Sequence, residues 1–149
     1  MDRYLEFILN HYILSLALAL VTFLLIQEFF DAVFKRFEGI SPLLAVAKIN
    51  DAKTVIIDVR ESPDFIQGHI EHAINAPLSK FSEQLPQLEK YKKNVLLLTC
   101  QTGTRASAAA KLLTKAGFEN VLILTGGMTA WQDEYKLPIR ITSKNRVTS

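Results

Sequence analysis

Residues 7–27 carry no formal charge and are bounded by Glu6 and Glu28. After Tyr12 they are almost all Leu, Ile, Ala, Val and Phe. As a helix they would reach about 30 Å, the thickness of a bilayer's hydrocarbon core. A helix that is apolar on every side has no face to turn to water, which is unusual for a core helix in a small domain. The stretch therefore predicts a retained transmembrane helix and divides the chain in two. A secretory signal peptide is the alternative. Against it, the first six residues set only Arg3 against Asp2 and Glu6, and the apolar run continues well past Ala17-Leu-Ala19. Asn10 and His11 fall near the N-terminal end, where a membrane interface tolerates polar groups.

Basic residues near the two ends give the expected orientation. Arg3 precedes the run, whereas Lys35, Arg36 and Lys48 follow it. The positive-inside bias then leaves the C-terminal part in the cytoplasm, on a single pass through the inner membrane. Phe29, Phe30, Val33, Phe34 and Phe37 recur at helical spacing among charged residues. Residues 28–39 are accordingly expected to form an amphipathic juxtamembrane helix, its aromatic face in the headgroups or packed on the soluble domain. Gly39 should end it, and a soluble domain should occupy residues 40–138. The polar, basic residues 139–149 are expected to be a disordered tail.

Within the soluble part, short apolar runs alternate with helical patterns. Ser41-Pro42 is a helix start, with Ser41 as N-cap. Residues 54–60, Thr-Val-Ile-Ile-Asp-Val-Arg, read as a strand buried on both faces and ending in charge. Ser62-Pro63 opens a capped helical turn that Gly68 ends, and Ala73-Ile-Asn-Ala-Pro77 is a brief extended piece. Phe81, Leu85, Leu88 and Tyr91 mark one face of a helix with Pro86 as an irregularity. Residues 95–98 and 121–124 are further short apolar strands. Gly117 caps the helix between them, and Gly126-Gly127 turns into a last helix with Met128 and Trp131. This alternation predicts an α/β domain whose central sheet is mostly parallel and flanked by helices.

The strand at 95–98 runs into Cys100-Gln-Thr-Gly-Thr-Arg105 and then an Ala-rich helix. The backbone N–H groups of such a loop converge, and the helix N-terminus adds partial positive charge. Both favour an anion, so both should hold a thiolate or another charged sulfur at Cys100. Gly103 permits the backbone conformation that a closed cradle needs. The plainer reading of a lone cysteine at a strand end is a small buried hydrophobe. One cysteine excludes an internal disulfide and a cysteine metal cluster. A net charge of +2 is too mild to argue for nucleic acid.

Asp58-Val-Arg60, Phe65, Gly68-His-Ile70 and Ala73-Ile-Asn-Ala-Pro77 together resemble the first signature of the rhodanese family of sulfurtransferases. Cys100-Gln-Thr-Gly-Thr-Arg105 resembles that family's active-site loop, and Gly117-Phe118, Val121, Gly126-Gly127 and Trp131 resemble its C-terminal pattern. The likeness covers nearly all of the soluble part, and a single such domain behind a membrane helix is a familiar arrangement in the family. It implies sulfur transfer through a persulfide on Cys100, from a small sulfane-sulfur donor to a thiol or protein cysteine. Gln101, Thr102, Gly103, Thr104 and Arg105 would hold the anionic sulfur and shape the mouth, Arg105 attracting an anionic donor or closing the loop with a salt bridge. No cofactor or metal is implied. Asp58 and Arg60 are read as a structural pair, and His69 as a structural hydrogen bonder. His72 departs from the family, which often has Gly there, and His69-Ile-Glu-His72 lacks the further ligands a metal needs.

Two other readings compete. A non-catalytic rhodanese-like module would use the same fold for protein contacts at the membrane. Phosphatases and arsenate reductases that resemble this fold use a Cys-to-Arg loop one residue longer. Here only four residues separate Cys100 from Arg105, a ring better sized for one terminal sulfur than for a phosphoryl group.

Overall fold

The computed structural model describes residues 2–33 and 37–142, and the chain divides into two units, Met1–Lys35 and Arg36–Ser149. The first unit is helical: α1, Asp2–Asn10, and α2, Tyr12–Val33. Only His11 separates them, and backbone bonds continue across it, from the His11 N–H to the Phe7 oxygen (3.0 Å) and from the Ser15 N–H to the His11 oxygen (2.9 Å). Within α2, residues Tyr12–Phe30 are long and apolar enough to cross a bilayer.

The second unit is built on five parallel strands: β1 (Phe37–Ile40), β2 (Thr54–Asp58), β3 (Ile74–Asn75), β4 (Val95–Thr99) and β5 (Val121–Leu124). Their order across the sheet is β1-β5-β4-β2-β3. Parallel strands need a crossover after each strand, so helices cover both faces and the strands are apolar on both sides. Alternation divides the strand side chains between two cores. Ile57, Leu96 and Leu98 meet Phe81, Leu113 and Phe118 on one face. Ile56, Leu97 and Leu124 meet Ala45, Met128 and Trp131 on the other.

Three helices set this frame. In α3 (Pro42–Ile49) the Leu44 N–H donates to the Ser41 Oγ at 3.4 Å, the capping that Ser41-Pro42 announces. The helix α5, Phe81–Leu88, absorbs Pro86 and tightens into a 3₁₀ turn at Glu89–Tyr91. From the Cys100 loop α6, Thr104–Lys115, runs back along the sheet. It ends at Gly117, whose φ of 87° lets the Phe118 N–H reach the Leu113 oxygen at 3.1 Å.

Three local expectations are corrected. Phe37 does not end a juxtamembrane helix but opens an edge strand that pairs from Phe37↔Val121 to Ile40↔Leu124. The domain therefore begins at β1, before Ile40; Phe34, Lys35 and Arg36 of the expected helix lie outside the described residues. The aromatic spacing is overridden because β5 offers this segment a full ladder of partners and Gly39 favours helix poorly. Ser62 does not cap the helix α4 (Ser62–Gln67). It is the first helical residue, and its hydroxyl goes to the Asn75 Oδ1 at 3.1 Å. Nor is the start of the tail free. Arg140 forms an antiparallel bridge with His69, its side chain pairs with Glu71 at 2.7 Å, and the Thr142 N–H donates to the Ile66 oxygen at 3.2 Å. Residues 143–149 lie outside the described ones.

His72 sits at φ 63°, the left-handed region that costs a side chain with a Cβ about 1–2 kcal/mol. This is the position at which the resemblance expects Gly, and glycine meets no such penalty there. His72 is exposed. His72→Gly is therefore expected to raise stability by about 1 kcal/mol, read as a higher denaturant midpoint at unchanged m value. A lower midpoint would show that the imidazole makes a contact that outweighs the backbone strain.

Candidate active site

The end of β4 places Cys100 at the carboxyl edge of the sheet, the edge where open parallel sheets carry their sites. The chain then passes through Gln101, Thr102 and Gly103 and enters α6 at Thr104. Cys100 is buried, Gln101, Thr102 and Thr104 are exposed, and Gly103 and Arg105 are half-buried. Gly103 has φ 106°, which turns its N–H back onto the Cys100 Sγ at 2.9 Å. The N–H groups of Gln101, Thr102, Thr104 and Arg105 meet no acceptor among the described residues. Those of Thr104 and Arg105 belong to the first turn of α6, whose donors have no partner within the helix. The cysteine sulfur thus accepts one N–H of its own loop, and the loop's other four N–H groups are left without an acceptor among the described residues.

What orients this loop comes from a later stretch of the chain. The Cys100 oxygen accepts from the Met128 N–H at 2.8 Å, and the Gln101 oxygen from the Thr129 N–H at 3.0 Å. In a trans peptide the carbonyl and the following N–H point in opposite directions. Engaging these two carbonyls therefore turns the Gln101 and Thr102 N–H groups away from α7 (Gly127–Thr129). The approach is possible only because Gly127 lacks a Cβ. One built there would overlap the Cys100 oxygen and lie 2.7 Å from the Gln101 oxygen.

The Gln101 side chain is tied at both ends. Its Oε1 accepts from the Arg60 Nη1 at 3.3 Å, and its Nε2 donates to the Thr129 Oγ1 at 3.1 Å. Arg60 is itself held within the domain: Nε and Nη2 donate to Asp58 carboxylate oxygens at 3.1 and 2.7 Å, and Nη2 also to the Gly68 oxygen at 2.6 Å. Both members of this ion pair are buried, and the additional bonds give the desolvated charges the partners they require. Asp58 and Arg60 thus reach the loop through Gln101. His69 makes no hydrogen bond to it among the described residues; its Nδ1 lies 2.7 Å from the Phe65 oxygen, and its ring stacks on Phe65 at 3.8 Å. Arg105 forms no ion pair among the described residues.

The sequence reading missed Thr129 and the role of Gly127. The signal was the Gly126-Gly127 pair, read only as a turn. Both take positive φ, 76° and 59°.

The model of the rhodanese-like domain matches residues 41–134. The chain belongs to the rhodanese-like family. A rhodanese-related protein of Thermoplasma volcanium has the same fold, with a TM-score of 0.63 at 28% identity over 70% of this chain and 98% of that one. The Escherichia coli K12 uncharacterized protein YibN is 32% identical over 93% of this chain and 97% of its own length, so the likeness extends through the N-terminal helix. A putative mitochondrial thiosulfate sulfurtransferase of Schizosaccharomyces pombe is 34% identical over 58% of this chain and 68% of its own length. Other relatives are tRNA uridine(34) hydroxylases. One, from Enterobacter, is 31% identical over 68% of this chain, which spans only 31% of the relative.

Proposed function

We propose that this rhodanese-like domain is a sulfurtransferase that carries a sulfane sulfur on Cys100, tethered to the inner membrane by the apolar helix with the domain facing the cytoplasm. The observation that supports it most is the Gly103 N–H donating to the Cys100 Sγ at 2.9 Å, in a loop whose four other N–H groups are unclaimed and could close a ring on a bound sulfur. Such a ring does for an anionic sulfur what an oxyanion hole does for an alkoxide. With thiosulfate as donor, the thiolate attacks the outer sulfur. A sulfur–sulfur bond forms, the donor's own sulfur–sulfur bond breaks, and sulfite leaves with the electron pair. The resulting Cys100-S-S⁻ then gives its outer sulfur to a nucleophile, a thiol or a protein cysteine in the cell and cyanide in an assay. The thiolate returns, and no net redox change has occurred.

The test is direct. Full-length protein given thiosulfate should gain the mass of one sulfur at Cys100, and cyanide should then release thiocyanate and restore the starting mass. A folded, reduced protein that stays unmodified with several sulfane donors would leave the domain a binding module.

Arg105 supplies the attraction for a charged donor. Arg105→Ala is expected to lower kcat/KM for thiosulfate about tenfold, as loss of one charge-assisted contact does, and to leave an uncharged persulfide donor nearly unaffected. Equal losses for both would assign Arg105 to the loop's structure.

A further inference from the structure

We propose that the edge of the sheet where the strands begin is a surface for anionic lipid headgroups. All five strands run parallel, so the domain has two chemically distinct ends, and Cys100 lies at the carboxyl one. Around the other end stand Lys48, Lys53, Lys90, Lys92, Lys93 and Lys115, all exposed. Lys53 and Lys92-Lys93 lead into β2 and β4, while Lys48 and Lys115 are in the last turns of α3 and α6. Four carboxylates share this end: Asp51, Glu89, Glu119 and Glu38. Only one ion pair forms among them, Lys92 with Glu89 at a loose 3.8 Å with both side chains in solvent.

Lys48 and Lys115 also complement the dipoles of the helices they end. Lys53, Lys90, Lys92 and Lys93 lie in no α-helix, so that explanation does not reach them. The chain enters the domain at this same edge, and what precedes it in sequence is the apolar helix proposed to cross the bilayer. An anionic headgroup layer is therefore the partner that both the charge and the chain order select. Docking this edge on lipid leaves the Cys100 loop, at the far end of the strands, open to a donor and an acceptor protein. The inference rests on the membrane reading for its partner.

The test uses the full chain in nanodiscs of phosphatidylcholine alone or mixed with phosphatidylglycerol. Lysines are acylated with a small reagent and read by peptide mass. Each lysine near an anionic surface contributes roughly fivefold in partition. Lys53, Lys90 and Lys93 should therefore react several-fold more slowly in the mixed discs, with Lys80 unchanged as reference. About 1 M salt should remove the difference. In Lys53→Gln/Lys90→Gln/Lys93→Gln, the slowing at Lys92 and Lys115 should fall away while thiocyanate production is unaltered. Equal reactivity in the two discs, for a protein that stays in vesicles through an alkaline wash, would overturn the surface and leave the anchor standing. Release by that wash would overturn the anchor alone, because added vesicles can still be tested against the lysines. Protection by transfer RNA but not by anionic lipid would overturn the proposal in favour of a nucleic-acid surface.

Discussion

Cys100→Ser is expected to abolish both persulfide formation and thiocyanate production, a loss of about 10³-fold or more, in a protein that still folds. The serine hydroxyl is far less ionised than a thiol at neutral pH and is a poorer nucleophile toward sulfur. Its oxygen can still accept the Gly103 N–H, so the loop keeps the bond that now ends on the Sγ. The replacement is smaller by little, at a site where Cys100 packs in the core with Ala106, Ala109 and Ile123, so the expected stability loss is at most about 1–2 kcal/mol. Intact mass after donor, thiocyanate colour after cyanide, and a thermal melt read the three quantities separately. A folded serine variant that still made thiocyanate would move the reacting group elsewhere.

The second large effect is expected at a residue that touches no substrate. Gly127→Ala places a Cβ against the carbonyl oxygens of Cys100 and Gln101 at a φ of 59°. The backbone strain and the overlap together should cost about 3 kcal/mol of stability. The more informative loss is kinetic. Moving α7 away frees the two loop carbonyls, so nothing then fixes which way the Gln101 and Thr102 N–H groups face. Loss of a single pre-oriented donor of this kind typically costs a factor of 10²–10³ in rate, and a fall of about 10²-fold per folded molecule is expected here. Gly126→Ala is the control. It has a similar φ of 76°, but its Cβ would meet the Ala130 Cβ at 2.5 Å and not the loop. It should destabilise comparably while the folded fraction keeps most of its rate. Equal rates for the two folded variants would reduce α7 to packing.

Much of this protein was determined by runs of neighbouring residues. Residues 54–58, 95–99 and 121–124 are apolar almost without interruption, and only a strand covered on both faces can bury such a run. Ser41-Pro42 and Gly117 punctuate helices because a hydroxyl cap and a positive φ are properties of single residues. The Cys100 loop is equally local, its spacing and its glycine lying within six residues of each other.

Tertiary structure decided what depended on distant partners. Phe37-Glu-Gly-Ile40 has no strand pattern of its own and becomes β1 because β5, more than eighty residues later, offers an open edge. Ile139–Thr142 looks like a polar tail and is held by backbone bonds to Ile66 and His69. Ser62 is a good cap by composition, yet its hydroxyl is taken by Asn75. The cradle divides along the same line. Which residues form it follows from adjacency. Which way its N–H groups face depends on Met128 and Thr129, whose backbone bonds to the loop become possible only when folding brings a glycine against it. A backbone hydrogen bond leaves no trace in side-chain identity, so the sequence could mark the place of that contact, by Gly126-Gly127, but not its partner.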